Sequence, residues 1–245
     1  MLTRWSSWRT ALLIGLFALP LHVASAQDRA REARSVASFT AIEFRVPGTL
    51  HLRQGDEQSV EVEAPPAVLE EFDAAVEDGT LELPVDQESN MFERFFGDDN
   101  SYDAEVDVYV TAPTIEALSL TGSGRIEGET PIEGEALSLN VAGSGGMTLE
   151  VASAELDLNV AGSGTTTLRG RTRTFTINVA GSGDLEGRDL ETETAEVRIA
   201  GSGDVELYVT EELSASIFGS GDVRYRGQPT VSTNSVGSGR VSPIE

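Results

Sequence analysis

NVAGSG stands at residues 140–145, 159–164 and 178–183. Degenerate copies extend the series: SLTGSG at 119–124, RIAGSG at 198–203, SIFGSG at 216–221 and NSVGSG at 234–239. The turn glycines of these copies are Gly122 and Gly124, Gly143 and Gly145, Gly162 and Gly164, Gly181 and Gly183, Gly201 and Gly203, Gly219 and Gly221, and Gly237 and Gly239. The first of each pair follows the one before it by 21, 19, 19, 20, 18 and 18 residues. A period near twenty is the mark of stacked structural units.

Around each copy the chain alternates. Val160, Leu158 and Leu156 lie two, four and six residues before Gly162, and Val179, Ile177 and Phe175 hold the same offsets before Gly181. Four residues after the first glycine come Ile126, Met147, Thr166, Leu185, Val205, Val223 and Val241. Apolar residues at period two, broken by glycines that permit positive φ, predict strand, turn, strand. A series of hairpins forming an antiparallel meander and a β-solenoid both satisfy that pattern.

Identity at fixed offsets favours the solenoid. Asn140, Asn159 and Asn178 recur three residues before the glycine, with Asn234 in the last copy, and Ala142, Ala161, Ala180 and Ala200 recur directly before it. Hairpins need alternation only, whereas stacked coils reward ladders of identical side chains. A single coil cannot stand alone. Three or four buried aliphatics at about 2 kcal/mol each fall far short of ordering one coil at about 1.5 kcal/mol per residue. Neighbouring coils must supply the rest.

Residues 39–112 lack the Gly-Ser-Gly signature but also alternate. FTAIEF and TLHLRQG flank the turn RVPG, SVEVEA follows, and PPAVLEEF begins a short helical turn. Asp78-Gly79 within AAVEDGTLEL is a hairpin signal, and AEVDVYVTAP (104–113) is a further strand. This reading divides the chain into a signal peptide (1–26), an N-terminal tail (27–38), a β region (39–112) capping the solenoid, and the repeats (113–245). Residues 39–242 form one continuous domain.

FTAIEFRVPGTLHLRQGDEQSVEVEAPPAVLEEFDAAVEDGTLEL, then VDVYVTAPTIEALSLTGSG, then serial Gly-Ser-Gly repeats, resemble in that order the head GIN domain family of autotransporter adhesins. The resemblance spans roughly 39–242. It implies a right-handed parallel β-helix with Gly-Ser-Gly turns between its sheets, a role in cell adhesion, and no recognised catalytic site.

Arg4 and Arg9 precede the apolar run ALLIGLFALPL (11–21), and ASA (24–26) offers a cleavage site. Together they predict a secretory signal and export to the periplasm, cell surface or exterior. No later run is long and apolar enough to span a bilayer as a helix. With 41 acidic and 17 basic residues the formal net charge is −24, which repels phosphate backbones and excludes nucleic acid as a partner. Lysine and cysteine are absent. That removes Schiff-base lysines, cysteine nucleophiles and disulfides.

Asp184, Asp204 and Asp222 follow three consecutive turns at one offset. Stacked about 5 Å apart, their charges repel. A calcium ion would relieve this, and a solvated acidic rim is the alternative reading. His51 lies in an alternating strand, as half of a nucleophile–base pair or as a plain strand histidine. Phe92, Phe95 and Phe96 cluster in MFERFFGDDNSY (91–102), as a partner-contact loop or a plug over the core. No pair of acids is singled out for glycoside cleavage. The function expected is an exported, non-enzymatic adhesin-like binding or structural module of the cell envelope. Its expected partners are glycans or envelope proteins, and it needs no cofactor other than, in the aspartate reading, calcium. A polysaccharide-active enzyme on a β-helix and a purely structural envelope protein are the competing classes.

Overall fold

A strand with apolar residues on one face must lay that face on another layer, and a chain repeating the same strand can satisfy this by coiling on itself. The computed structural model describes residues 29–83 and 106–244 and shows this solution. In chain order the elements are β1 (Ala30–Ala33), β2 (Ala41–Phe44), β3 (Thr49–Gln54), β4 (Ser59–Ala64), α1 (Pro66–Leu69), β5 (Ala75–Glu77) and β6 (Thr80–Leu83). After residues 84–105 come β7 (Asp107–Ala112), β8 (Ala117–Gly122), β9 (Arg125–Gly128), β10 (Ile132–Gly143), β11 (Gly146–Gly162) and β12 (Thr165–Gly181). The last are β13 (Asp184–Gly201), β14 (Val205–Gly219), β15 (Val223–Arg226), β16 (Thr230–Gly237) and β17 (Val241–Pro243).

The repeats pair in parallel and in register, with Asn140 beside Asn159, Asn159 beside Asn178, and Gly143, Gly162, Gly181, Gly201, Gly219 and Gly237 aligned in turn. The meander is thereby excluded, since hairpins would pair antiparallel. Each long strand runs through two walls. In β11, Met147, Leu149 and Val151 line one wall and Leu156, Leu158 and Val160 the other, all buried, while residues 152–155 turn a second corner opposite the Gly-Ser-Gly corner. One column of the core runs Leu83, Phe44, Leu120, Val141, Val160, Val179, Ile199, Ile217 and Ser235. The facing column runs Val108, Leu50, Ile126, Met147, Thr166, Leu185, Val205, Val223 and Val241.

These columns show that stacking order departs from chain order. β2 and β3 lie between the coil formed by β6 and β7 and the coil formed by β8 and β9. The solenoid thus begins inside the 39–112 segment from which a cap was expected, and the covering part is narrower. β4 closes the outer edge of β7 antiparallel and β1 closes β4. α1 packs on both, with Val68 and Leu69 buried. β5 closes β6 through the Asp78-Gly79 hairpin, where φ is +47° and +78°. Positive φ at both residues is what a two-residue hairpin of this kind requires.

Coil length varies, and the variation is absorbed away from the Gly-Ser-Gly corner. The extra residue of β13 is a bulge after Thr167, and the shortening of β14 falls between Gly187 and Thr194. Bulges are tolerated where backbones have room to bend.

Candidate functional site

At Gly181 and Gly183 the Gly-Ser-Gly corner leaves no room for a side chain. Gly181 has φ +121°, and a Cβ there would lie 2.5 Å from the Gly162 carbonyl oxygen of the coil below. At Gly183 a Cβ would lie 2.5 Å from Val160 Cγ1. Successive corners are joined by backbone hydrogen bonds, Ser163 N–H to Gly143 O and Ser182 N–H to Gly162 O, both 2.8 Å. The corner is structural, and no phosphate-binding geometry is needed to explain its glycines.

Asp184, Asp204 and Asp222 do stack beside this corner. Each carboxylate accepts from the backbone N–H of the next coil: Asp204 N–H donates to Asp184 Oδ1 at 2.8 Å, Asp222 N–H to Asp204 Oδ1 at 2.9 Å, and Arg240 N–H to Asp222 Oδ1 at 3.0 Å. Arg224 bridges the outer oxygens, 3.0 Å from Asp204 Oδ2 and 3.8 Å from Asp222 Oδ2, and also reaches Glu206. The column therefore bears its charge through amides and one guanidinium. Among the described residues no group of three or more acidic or histidine side chains is arranged to hold a metal ion. Along the neighbouring column Asn159 donates to Asn140 Oδ1 at 3.1 Å and Asn178 to Asn159 Oδ1 at 3.0 Å, so the recurring asparagines form an amide ladder.

His51 sits on the outer face near the capped end. Its Nε2 lies 3.0 Å from Asp107 Oδ1 and its Nδ1 3.7 Å from Glu129 Oε1. The ring stacks on Tyr109 at 4.6 Å between centroids, and the Arg31 guanidinium lies over the Tyr109 ring at 3.6 Å. Partial burial pulls the Asp107 carboxyl upward, but hydrogen bonds from Arg29 and His51 outweigh it and hold the group below its ordinary range. Both ring nitrogens thus face carboxylates, Nε2 within hydrogen-bond distance of Asp107. His51 is a strand histidine in a polar cluster that fastens β1 and β7 to β3.

A concavity lies at the opposite corner. It is an open groove of about 470 Å³ crossing four coils, lined by Glu133 and Gly134, Ala152 to Ala154, Arg171 to Arg173, and Glu191 and Glu193. Its floor is small and hydroxylated, with Ser153 Oγ 3.3 Å from Thr172 Oγ1. Gly170, at φ +108°, lets the chain turn there. Arg171 and Arg173 are exposed and make no ion pair or side-chain hydrogen bond among the described residues. Beside it a second groove of about 360 Å³ is lined by Thr167 to Arg169, Glu186, Arg188, Asp189 and Glu206. There Arg188 is already engaged by Glu206. Hydrogen bonds from Arg188 and then Arg224 hold the Glu206 carboxyl low despite its burial.

The periodicity did not point to this corner. The available signal was RGRTR at 169–173, three arginines in five residues of a strongly acidic chain. Phe92, Phe95 and Phe96, like residues 1–26, lie outside the described residues. The described ends that flank them, Leu83 and Val106, stand at the Gly-Ser-Gly corner of the outermost coil: Leu83 aligns with Phe44, and Thr49 N–H donates to Val106 O.

Residues 38–229 match a family described as "Putative auto-transporter adhesin, head GIN domain". No curated protein sequence matches the chain. Among solved structures, one described as a putative adhesin from Bacteroides fragilis superposes with a TM-score of 0.80 at 21% identity, covering 89% of this chain and 98% of that one. A protein described as a putative lipid binding protein from Parabacteroides distasonis gives 0.70 at 24% identity over 89% and 97%. One described as a putative adhesin from Parabacteroides merdae gives 0.69 at 18% identity over 89% and 96%. At these identities the likeness is one of fold.

Proposed function

This chain belongs to the auto-transporter adhesin head GIN domain family, and on that premise we propose that it is a non-enzymatic adhesion module working outside the cytoplasm. Its contact face is the groove over residues 133–193, and its ligands are glycans. The observation that carries this reading is the pair Arg171 and Arg173, exposed and unpaired among the described residues, beside Glu191 and Glu193 and above the Ser153 and Thr172 hydroxyls. Guanidinium and carboxylate groups are fork-shaped donors and acceptors, suited to vicinal hydroxyls or to a sugar carboxylate. The strands hold them at inter-strand spacing, so little order is lost on binding. An open groove on a rigid wall suits a long polymer better than a small molecule, which needs enclosure. The family and the signal sequence expected at 1–26 support a place outside the cytoplasm. No helix among the described residues is long and apolar enough to cross a membrane.

The test is incubation of the purified chain with a panel of insoluble polysaccharides, reading protein depletion and newly released sugar ends together. Depletion without new ends, lost in the double variant Arg171→Ala/Arg173→Ala, is the expected result. New ends would make the protein an enzyme. Depletion by no polysaccharide would leave a scaffold or protein-binding role. Depletion that disappears with a chelator would return a cation to the aspartate column.

A further inference from the structure

β12 carries no acidic residue. From Leu158 to Gly183, a stretch that contains the whole of this strand, there are three arginines and no aspartate or glutamate, in a chain with 41 acids. The three are Arg169, Arg171 and Arg173. They alternate with Gly170 and the buried Thr172, so all three side chains leave the outer face of the strand. Alternate residues of a strand stand about 6–7 Å apart, close to the length of one sugar ring in an extended polymer. The turn at Gly170 carries the row from one groove into the other: Arg169 lines the second groove, and Arg171 and Arg173 the first.

Neighbouring acids do not take up this row. Arg169 has Glu150 and Asp189 as ladder neighbours, and Arg171 has Glu191. The register skips Arg173 on both sides. None of the three forms an ion pair or side-chain hydrogen bond among the described residues. Arg188, Arg198 and Arg224, by contrast, are each held by a carboxylate. Three like charges in a row repel one another unless an anion lies among them. A surface pair with an adjacent glutamate is worth at most about 1 kcal/mol, so those acids compete weakly with a ligand that spans the row.

We propose that the glycan taken by this face is an acidic one, a polymer of uronic acids whose carboxylates lie along Arg169, Arg171 and Arg173. The inference rests on the glycan reading above and adds Arg169 and the second groove to the contact face. A planar guanidinium fork matches a planar carboxylate through two parallel hydrogen bonds. The Ser153 and Thr172 hydroxyls, with Glu191 and Glu193 as acceptors, are left for the ring hydroxyls. Because they repel anions, the two glutamates also direct ligand carboxylates toward the arginine row. Successive uronates engage successive arginines, so affinity rises with polymer length.

The test measures binding of the purified chain to beads carrying polygalacturonate or alginate, their carboxyl-reduced neutral forms, or polyglutamate, at one fixed ionic strength. Saturable binding to a polyuronate is expected, weakened at least about tenfold both by carboxyl reduction and by the triple variant Arg169→Gln/Arg171→Gln/Arg173→Gln. The corresponding triple lysine variant should recover only part of the loss, since it restores charge without the fork. Arg240→Gln, which removes an exposed arginine of another coil, should bind like wild type. Thermal melting checks that each variant folds. Equal binding of acidic and neutral polymers, lost in the glutamine variant, would overturn this inference and leave the glycan reading standing. Polyglutamate bound as tightly as polyuronate, or polyuronate bound equally by the glutamine variant, would overturn it too. Binding to no polyuronate would do the same, and the wider polysaccharide panel then decides the glycan reading by itself.

Discussion

The Asp204 backbone N–H donates to the Asp184 carboxylate at 2.8 Å, although twenty residues separate the two in sequence. Each occupies the same place in successive coils, and Asp222 continues the relation through Asp204. A row of like charges is thereby tied to the backbone it decorates.

Replacing Asp204 by Ala removes the acceptor for the Asp222 amide and a partner of Arg224. The expected cost is about 1–3 kcal/mol, with Asp204→Asn losing less because its carbonyl oxygen can still accept. Urea unfolding with and without calcium measures it. A wild-type midpoint raised strongly by calcium would mean that the amides and Arg224 do not carry the column.

Glycine positions should divide sharply. Gly181→Ala meets both positive φ and the Gly162 carbonyl oxygen, and should cost about 3 kcal/mol or more. Gly134 has ordinary φ, and the nearest atom to an added Cβ is 3.8 Å away. Gly134→Ala should stay within about 0.5 kcal/mol of wild type. Equal losses in the two variants would show that inter-coil contact is not what selects glycine.

Thr166 is fully buried between Met147 and Leu185, and its hydroxyl has no hydrogen-bond partner among the described residues. Thr166→Val keeps the shape and removes that unsatisfied group, so a gain of about 1 kcal/mol is expected. Denaturant midpoints decide it, and a loss of stability would mean that a water reaches the hydroxyl.

Asp107 supplies a pH test. Its folded pKa is depressed by Arg29 and His51 against the opposing effect of burial. Its contribution is therefore complete above the unfolded carboxylate value of about 4 and is lost as pH falls through the lower folded value. The stability gap between wild type and Asp107→Asn should be widest near neutrality and shrink on acidification below about pH 4. A gap constant from pH 7 to pH 2 would contradict the pairing.

Much of this fold could be read directly from the sequence, because stacked coils put one-dimensional periodicity into space almost unchanged. The spacing of Gly143, Gly162 and Gly181 locates the corner, the residues two, four and six before each locate one wall, and the asparagine recurrence locates a ladder that the side chains form. Each of these is a relation between near neighbours repeated many times. The place of 41–54 in the stack is not of that kind. Its corner, Val46-Pro47-Gly48, keeps only the second glycine: Val46 adopts no positive φ, while a Cβ on Gly48 would run into the Val106 carbonyl. The chain leaves after β3, forms the cap and an outer coil, and returns to pair Ala41 with Ala117. Such a crossing is fixed by which edge is open when the strands meet, and no local pattern encodes that. The groove is likewise tertiary. Arg169 aligns with Asp189 yet makes no ion pair among the described residues, whereas Arg188 reaches Glu206 one coil away. Sequence alone determined the coil, its corner and its core, because burial and backbone sterics repeat with the period. Tertiary structure alone decided the order of the first coils and which arginines reach a carboxylate, because both depend on contacts that occur only once.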